Sequence, residues 1–578
     1  MRVLCTLGMF HRIILLVTLV SLACGVSAQT SSPLVSSVWS GNVTPTSASV
    51  VVRLAAAGQK VRLLVSVNSS LTPGTFSASA TTAVTAGNTV TLTVSGLLPD
   101  GDYFYGIEVA GVVRTEPNSR GRFRTFPLGR GSFKIAFSSC SDFRKADQGA
   151  FDAIVAERPL MFIHMGDLHY IDTDSPIIED YRVNYDAVLN HPNQSALYRS
   201  MAIAYMWDDH DFCGNDSNGA AIGRDAARFA YRERTPHYPI APAGGAMAQA
   251  FTIGRVRVIL TDLRSAAAGS NLRESATKSR LGAAQKAWFK QELINARDAG
   301  FPLTLWVSTM PWIAPAVLGD DSWGGYATER TEIANFIRDN RITNVAILSG
   351  DMHGLAFDDG VHSDYATGGG APLTVLHAAA LTHTGAEKGG PYTGGPIMGG
   401  QQYGILEVFD TGGPSVACRF IGKRVGEGDK LNYIFSSSAA GSAGVALSNI
   451  SMLARVTGGE DALTSGFVIA GQAARQVLVR AIGPSLASFG LADALERPQL
   501  TIFKGSTAIA TNEGWGTDPD AIERLTEMFD RSGAFRLQEA SSRDAALVLS
   551  LAPGVYTMRV KSADGKPGSA LLEVYDVP

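Results

Sequence analysis

The chain of 578 residues reads as three successive folded parts: a β-sandwich, a central α/β domain and a second all-β region. Three observations carry this expectation. Residues 33–127 hold short apolar-alternating runs separated by turn signals, the pattern of packed antiparallel sheets. From Phe133 strand-like runs alternate with amphipathic helical patterns, which indicates an α/β domain with a mainly parallel sheet over 131–435. A Ser/Ala/Gly-rich stretch, 436–446, then reads as a linker, and 447–578 returns to β-rich patterning.

In the first part the runs are "SASVVVRLA", "KVRLLVSV", "NTVTLTVSGLLP" and "YFYGIEVAG", with turns at Pro73-Gly74 and Pro99-Asp100-Gly101. The segment "GLLPDGDYFYGIEV" resembles the leucine-proline-tyrosine corner of fibronectin type III domains, so the sandwich is expected to be fibronectin III/Ig-like. In the second part "FKIAF", "LMFIHM", "AIAYMW", "VRVIL", "LTLWVS" and "VAILS" predict buried strands. "AAQKAWFKQELINARD" and "ATERTEIANFIRDN" predict helices. The third part holds "QVLVRAIG", "QLTIFKG", "AALVLSL" and "ALLEVYDV" as strands, interrupted by a helical "DPDAIERLTEMFD".

The N-terminus reads as an export signal over residues 1–28. Arg2, His11 and Arg12 precede an apolar run from Ile13 to Gly25, followed by Val26-Ser27-Ala28. The run is shorter than the about 20 residues a membrane span needs, so the mature chain is expected to lack a transmembrane segment. Cleavage after Ala28 is the preferred reading; lipidation at Cys24 is weaker, because Ser21 and Leu22 fit a lipobox poorly. The destination is then periplasmic or extracellular. Three cysteines remain, Cys140, Cys213 and Cys418, and an odd count leaves one thiol without an internal partner. The net charge of −4 argues against a nucleic-acid-binding surface.

The polar residues are placed with a pattern. Cys140 follows "FKIAFSS", Asp167 and Tyr170 follow "LMFIHMG", and Asp208, Asp209 and His210 follow "AIAYMW". Asp262 and Arg264 follow "VRVILT", and Asp351 and His353 follow "VAILSG". The carboxyl ends of strands form the functional edge of an open α/β sheet. Taken singly, each residue is more often a turn former, a cap or a core thiol than a ligand; recurrence on five strands is what favours one shared site. His164 and His169 read as bystanders, and Cys213 and Cys418 as core thiols or one disulfide.

The donor types suggest metals. Asp167 and Asp351 are hard oxygen donors. Tyr170 would bind as phenolate, which a free Tyr with pKa about 10 forms only beside a strongly Lewis-acidic cation. Thiolate, phenolate and carboxylate together suit Fe³⁺, while Asp209, Asp351 and Asn215 suit a second, hard divalent ion. Paired metals favour hydrolytic phosphoryl transfer, with Asp167 the natural bridge, and His210 and Arg264 as proton donor and phosphate fork.

"SSC" (138–140), "GDLHY" (166–170), "WDDHD" (207–211), "TDLR" (261–264), "QKAWF" (285–289), "DSWGGYATER" (321–330) and "ILSGDMH" (347–353) resemble, in order, the motifs of PhoD-like alkaline phosphatases, a family of metallophosphoesterases. The resemblance covers roughly residues 36–430. It implies a two- or three-metal site with Fe³⁺ and Ca²⁺, acting on phosphate monoesters and diesters. By motif position Cys140, Asp167 and Tyr170 would hold iron. Asp167, Asp209, Asp351 and Asn215 would hold calcium, with His353 and His210 at the metals or phosphate and Arg264 on phosphate. The family commonly has Glu where this chain has Asp211, and commonly uses a twin-arginine signal, whereas this one has no Arg-Arg pair. Alternatives are a relative acting on lipid or cell-wall phosphodiesters, and a surface-binding protein with a relict site. The 447–578 region has no chemistry of its own in sequence and is read as a cell-surface or matrix attachment module.

Overall fold

Two β-sheets packed face to face form the centre of the molecule. The computed structural model describes residues 34–577 apart from 146–147, 243–244, 440–448, 460, 470–474, 517–518, 538, 540 and 553. The predicted export signal and most of the predicted linker lie outside the described residues. Ser436–Ser438, read from sequence as the start of that linker, instead close the Gly428–Ser438 strand by pairing with Ala417–Ser415.

The first sheet has nine strands. Their order is Gly428–Ser438, Ser415–Arg424, Gln402–Phe409, Phe133–Ser138, Met161–Met165, Ala202–Met206, Val35–Gly41, Ser47–Leu54 and Thr89–Ser95. The second has seven: Gln249–Ile253, Val256–Leu260, Leu303–Ser308, Val345–Ser349, Thr374–Ala378, Gly354–Asp358 and Gly394–Met398. Period-two patterning makes the layers. Val258 and Leu260 join Ile135 and Phe137 of the first sheet in one core. Ile259, between them, joins Phe289, Leu293 and Ile333 in another, under the helices Ala283–Asp298 and Ala327–Asp339.

Parallel pairing places the site. Phe133–Ser138, Met161–Met165 and Ala202–Met206 run parallel, with Ser138 opposite His164 and Met165 opposite Met206. Val256–Leu260, Leu303–Ser308, Val345–Ser349 and Thr374–Ala378 do the same in the second sheet. The carboxyl ends of all these strands therefore line up by register.

The N-terminal β-rich region is fused to this frame. Its strands Val35–Gly41, Ser47–Leu54 and Thr89–Ser95 extend the nine-stranded sheet, through a parallel bridge from Gly41 to Ile203. Its remaining strands form a separate six-stranded sheet in which Lys60–Ser66, Asp102–Val109 and Arg120–Arg124 are successive neighbours. The Tyr103 hydroxyl accepts from the Leu98 N–H at 2.8 Å, five residues upstream, and ties the corner between the two sheets. The C-terminal β-rich region has two four-stranded antiparallel sheets around their own core, with the helix Pro519–Ser532 over one face.

Removing the corner hydroxyl in Tyr103→Phe leaves the Leu98 N–H without its acceptor, and should destabilise the protein by about 1 kcal/mol, read as a lower urea midpoint with an unchanged circular dichroism spectrum.

Candidate metal centre

Five strand ends deliver the polar residues, and the backbone at those ends is unusual. Cys140, Asp167, Asp351 and His353 all have positive φ, at 62°, 53°, 71° and 56°. For non-glycine residues the left-handed region costs on the order of 1 kcal/mol or more each, and such residues gather at functional sites. Each reversal turns its side chain back over the strand end. At Gly166 (φ 92°) the same turn needs glycine, since an added Cβ would sit 2.4 Å from the Asp208 Cβ. Asp211 holds this turn. Its carboxylate accepts from Leu168 N–H at 2.8 Å, Asp208 N–H at 2.7 Å and the Tyr205 hydroxyl at 2.7 Å.

Three adjoining donor groups result. Cys140, Asp167 and His353 form the first, Asp167, Asp209 and His210 the second, and Asp209, Asp216 and Asp321 the third; within each, the donor atoms lie within 4.8 Å of one another. Asp167 is shared by the first two and Asp209 by the last two. Tyr170 joins the first group. Its hydroxyl donates to Asp167 Oδ2 at 2.8 Å and lies 3.0 Å from His353 Nε2, while Cys140 Sγ lies 3.6 Å from the same Asp167 oxygen. The Tyr170 ring is stacked on His383 at 3.9 Å and tilted against His210 at 4.1 Å. His210 Nδ1 is 2.5 Å from Asp172 Oδ1, which leaves Nε2 for the site.

Burial without enough positive charge dominates the electrostatics. Burial, then the nearby carboxylates, raise the Cys140 thiol, the Asp167 carboxyl and the Tyr170 hydroxyl well above their usual pKa values. Burial lifts Asp351 to about 6 against the pull of Lys388, and Asp208 to about 7 despite Arg264. Burial and the Lys388 ammonium push His353 down to about 3. Asp167 Oδ1, Asp208 Oδ2, Asp209 Oδ1, Asp351 Oδ2 and His353 Nδ1 are buried with no hydrogen-bond partner. Native structures leave few such atoms. Buried, converging and unpartnered oxygen and imidazole donors, with the Cys140 sulfur beside them, fit cations, which would satisfy these atoms and restore the ionised forms.

Several sequence expectations change in detail. Arg264, expected as a phosphate fork, is fully buried. Nε donates to Asp208 at 2.7 Å, Nη1 to Asp321 at 2.9 Å, and Nη2 is left 3.6 Å from Asp209. It is committed to carboxylates and holds Asp208 and Asp321 in place. Asn215 is exposed; its neighbour Asp216 reaches the Asp209 group instead. Asp351 stands outside the three groups, with Oδ1 bound by Lys388 Nζ at 2.6 Å. His164 and His169 are buried and belong to none of the three groups. Cys213 and Cys418 are buried free thiols, so they form no disulfide with each other.

Sequence reasoning missed Asp216, Asp321, Lys388 and His383 as site residues. Asp321 opens the quoted "DSWGGYATER", but no strand precedes it. Lys388 and His383 belong to a loop whose composition carries no signal. That loop is fixed to the centre because the Thr382 and His383 N–H groups both donate to the Cys140 carbonyl at 3.1 Å.

Linked thiol, carboxylate and imidazole groups on the carboxyl edge of an α/β fold form clusters able to bind metal ions. Residues 135–389 match the family model of the PhoD-like phosphatase, and residues 21–127 that of the PhoD-like phosphatase N-terminal domain. The chain belongs to the PhoD-like phosphatase family. Alkaline phosphatase D of Bacillus subtilis (strain 168) is 23% identical over 326 residues, 48% of this chain and 55% of that protein. The chain thus spans about half the length of this curated relative. The solved structure of PhoD is similar with a TM-score of 0.58 at 18% identity, covering 71% of this chain and 91% of that one, which is a likeness of fold. A purple acid phosphatase from yellow lupin (Lupinus luteus) seeds gives a TM-score of 0.46 at 12% identity, over 69% of this chain and 74% of that one. No described helix is long and apolar enough to cross a membrane.

The raised carboxyls predict a pH signature. With Asp351 at about 6 and Asp208 at about 7 when folded, against about 4 unfolded, these two carboxyls contribute stability that is lost as pH rises from about 4 to about 7. The buried His164, His169, His353 and His377, each held down at about 3, contribute the opposite slope below about pH 6.5, so a single substitution isolates the carboxyl effect. In chelator-treated protein the melting temperature of Asp351→Asn relative to the unmutated chain should shift in favour of the variant from about pH 5 to about pH 7.5. A difference that does not change with pH would count against the charge deficit.

Proposed function

We propose that this protein is an exported metal-dependent phosphoesterase that hydrolyses phosphate monoesters and diesters. The observation that supports this most is Asp167, common to two adjoining donor groups and carrying an unpartnered buried oxygen. In this reading Cys140, Asp167, Tyr170 and His353 would hold Fe³⁺. Asp167, Asp209 and His210 would hold Ca²⁺, with Asp351 beside them and Asp216 and Asp321 at a third position. Bound there, the ions would supply Lewis-acid polarisation of the phosphoryl group and neutralise its charge.

The protein's own residues do the rest. Asp172 fixes the His210 ring through Nδ1, which keeps Nε2 facing the site. Lys388, with a third of its side chain exposed beside Asp351, offers an ammonium to phosphate oxygens. Arg264 positions Asp208 and Asp321 rather than touching substrate. The loop carrying Thr382, His383 and Lys388 walls the Tyr170 side.

The N-terminal region is read as fibronectin III-like, supported by its two facing sheets and the Tyr103 corner. The 447–578 region is read as an attachment module: its deletion should change localisation and spare turnover in solution.

Purified full-length protein loaded with iron and calcium should hydrolyse both p-nitrophenyl phosphate and bis(p-nitrophenyl) phosphate. Asp167→Asn should lose more than the roughly 10–100-fold typical of removing an outer-shell partner. Iron-loaded protein should absorb visible light through the Tyr170 phenolate, and Tyr170→Phe should bleach it. An active, metal-replete protein without that band would refute the Tyr170 assignment, and no hydrolysis of either ester would refute the function.

A further inference from the structure

The sequence "RGRFR" places Arg120, Arg122 and Arg124 at alternate positions of one strand. Their side chains share a face and repeat about every 7 Å, two residues of an extended strand. Phe123, between them, is buried in the core on the other side. The strand pairs only with Asp102–Val109 among the described strands, so it is an edge of the six-stranded sheet. Charged residues often guard such edges, and three arginines alone would need no other explanation.

A fourth arginine does need one. Arg199, near the end of the helix Pro192–Ser200, comes from a different element and is half-buried. Among the described residues no carboxylate lies within ion-pair distance of it, and burial lowers its pKa, opposed by the Tyr105 hydroxyl rather than by a carboxylate. Partly desolvated cations are ordinarily paired. The Tyr105 hydroxyl near it is buried, with the Ser40 side chain beside it. Gly121 allows this approach, because an added Cβ would lie 2.4 Å from both the Arg199 carbonyl and the Tyr105 ring.

Two cavities adjoin here. One, of about 330 Å³, is lined by Arg120, Arg122, Arg199 and Tyr105. The other, of about 520 Å³, is lined by Arg122, Arg124, Lys134 and Arg158, with Asp100 and Asp102 as its acidic residues. They share Phe104, Arg122 and Ser200, and so form one groove with six cations and two carboxylates on its walls. Asp100 pairs with Arg124, and Lys134 pairs with Glu157. Arg122 Nε is held by the Ser200 carbonyl at 3.0 Å, which leaves its Nη groups free to face a ligand.

The groove lies at the opposite edge of the sheet from the metal centre. Phe133 and Lys134 open the Phe133–Ser138 strand, Leu160 precedes Met161–Met165, and Ser200 and Met201 precede Ala202–Met206. Those are amino ends; the metal donors follow the carboxyl ends. A five-residue strand separates the two by roughly 17 Å.

We propose that this groove is a second anion site, which holds an extended polyanion bearing phosphate or sulfate groups while the metal centre remains free to work. The charges lie in a row, which suits a chain of regularly spaced anions better than a single compact one. The site owes nothing to the catalytic reading, since no donor residue contributes to it.

The test is binding of fluorescent dextran sulfate, and of inorganic polyphosphate in competition, to the full-length protein, with p-nitrophenyl phosphate turnover measured in parallel. Affinity should fall steeply with salt. Arg199→Gln with Arg124→Gln should weaken binding at least about tenfold and flatten the salt slope by about 1–2, with turnover unchanged. Arg199→Lys should retain most of the binding. Displacement of dextran sulfate by polyphosphate assigns recognition to charge; dextran sulfate binding that polyphosphate does not displace narrows the ligand to sulfate, and either supports the site. Should the double variant melt early, Arg120→Gln with Arg124→Gln, both on the solvent-facing edge, replaces it. Unaltered binding in these variants, or no binding to the unmutated protein, overturns the proposal.

Discussion

Too little positive charge for the buried acid is the constraint on which the site depends. Asp167, Asp208, Asp209, Asp211 and Asp351 are each nearly inaccessible to water, together with the Cys140 thiol. Arg264 and Lys388 are the cations that reach them directly. Arg264 and Arg280 together hold Asp321 ionised, and Arg264 holds Asp209, in each case against the opposing effect of burial. Among the described residues nothing comparable faces Asp167. A fold that keeps this arrangement gains from cations what it loses in desolvation.

The scaffold meets that constraint by rigidity. Parallel register aligns the strand ends, left-handed turns at Cys140, Asp167, Asp351 and His353 swing the donors inward, and neighbouring groups lock each turn. Asp211 bridges two successive strand ends through Leu168 and Asp208. The Ser139 hydroxyl accepts from Asp351 N–H at 3.1 Å and joins the two sheets beneath the donors. Thr309 donates to Asp208 at 2.9 Å from a further strand end. Such outer partners fix donor orientation, which a metal centre needs as much as the donors themselves.

Much of this was legible in sequence because strand ends have a simple signature. A buried apolar run stopping at Asp, Cys or His marks both the strand and the functional edge, so Cys140, Asp167, Asp209 and His353 could be named before any fold was known. Tyr170 was reachable for the same reason, because it stands only three residues past Asp167 in "GDLHY". Asp216 and Asp321 were not, because each arrives from a loop whose path only the tertiary fold determines. Lys388 and His383 sit in a Gly/Thr-rich segment with no periodicity to read. Arg264 was found but misjudged: its position showed proximity to the site, while its role depended on the carboxylates around it. The joining of the N-terminal strands to the central sheet was likewise invisible, since an edge pairing such as Gly41 with Ile203 leaves no mark on local pattern.

The donor groups and the arginine groove lie at opposite ends of the same strands. The central claim concerns the first of these: that Cys140 and Asp167 belong to one metal centre. X-ray absorption at the edge of the transition metal carried by the purified protein tests it most directly. A sulfur neighbour should be present in the first coordination shell and vanish in Cys140→Ser while oxygen and nitrogen neighbours remain. A shell without sulfur in the unmutated protein, or one unchanged by Cys140→Ser, would contradict the account.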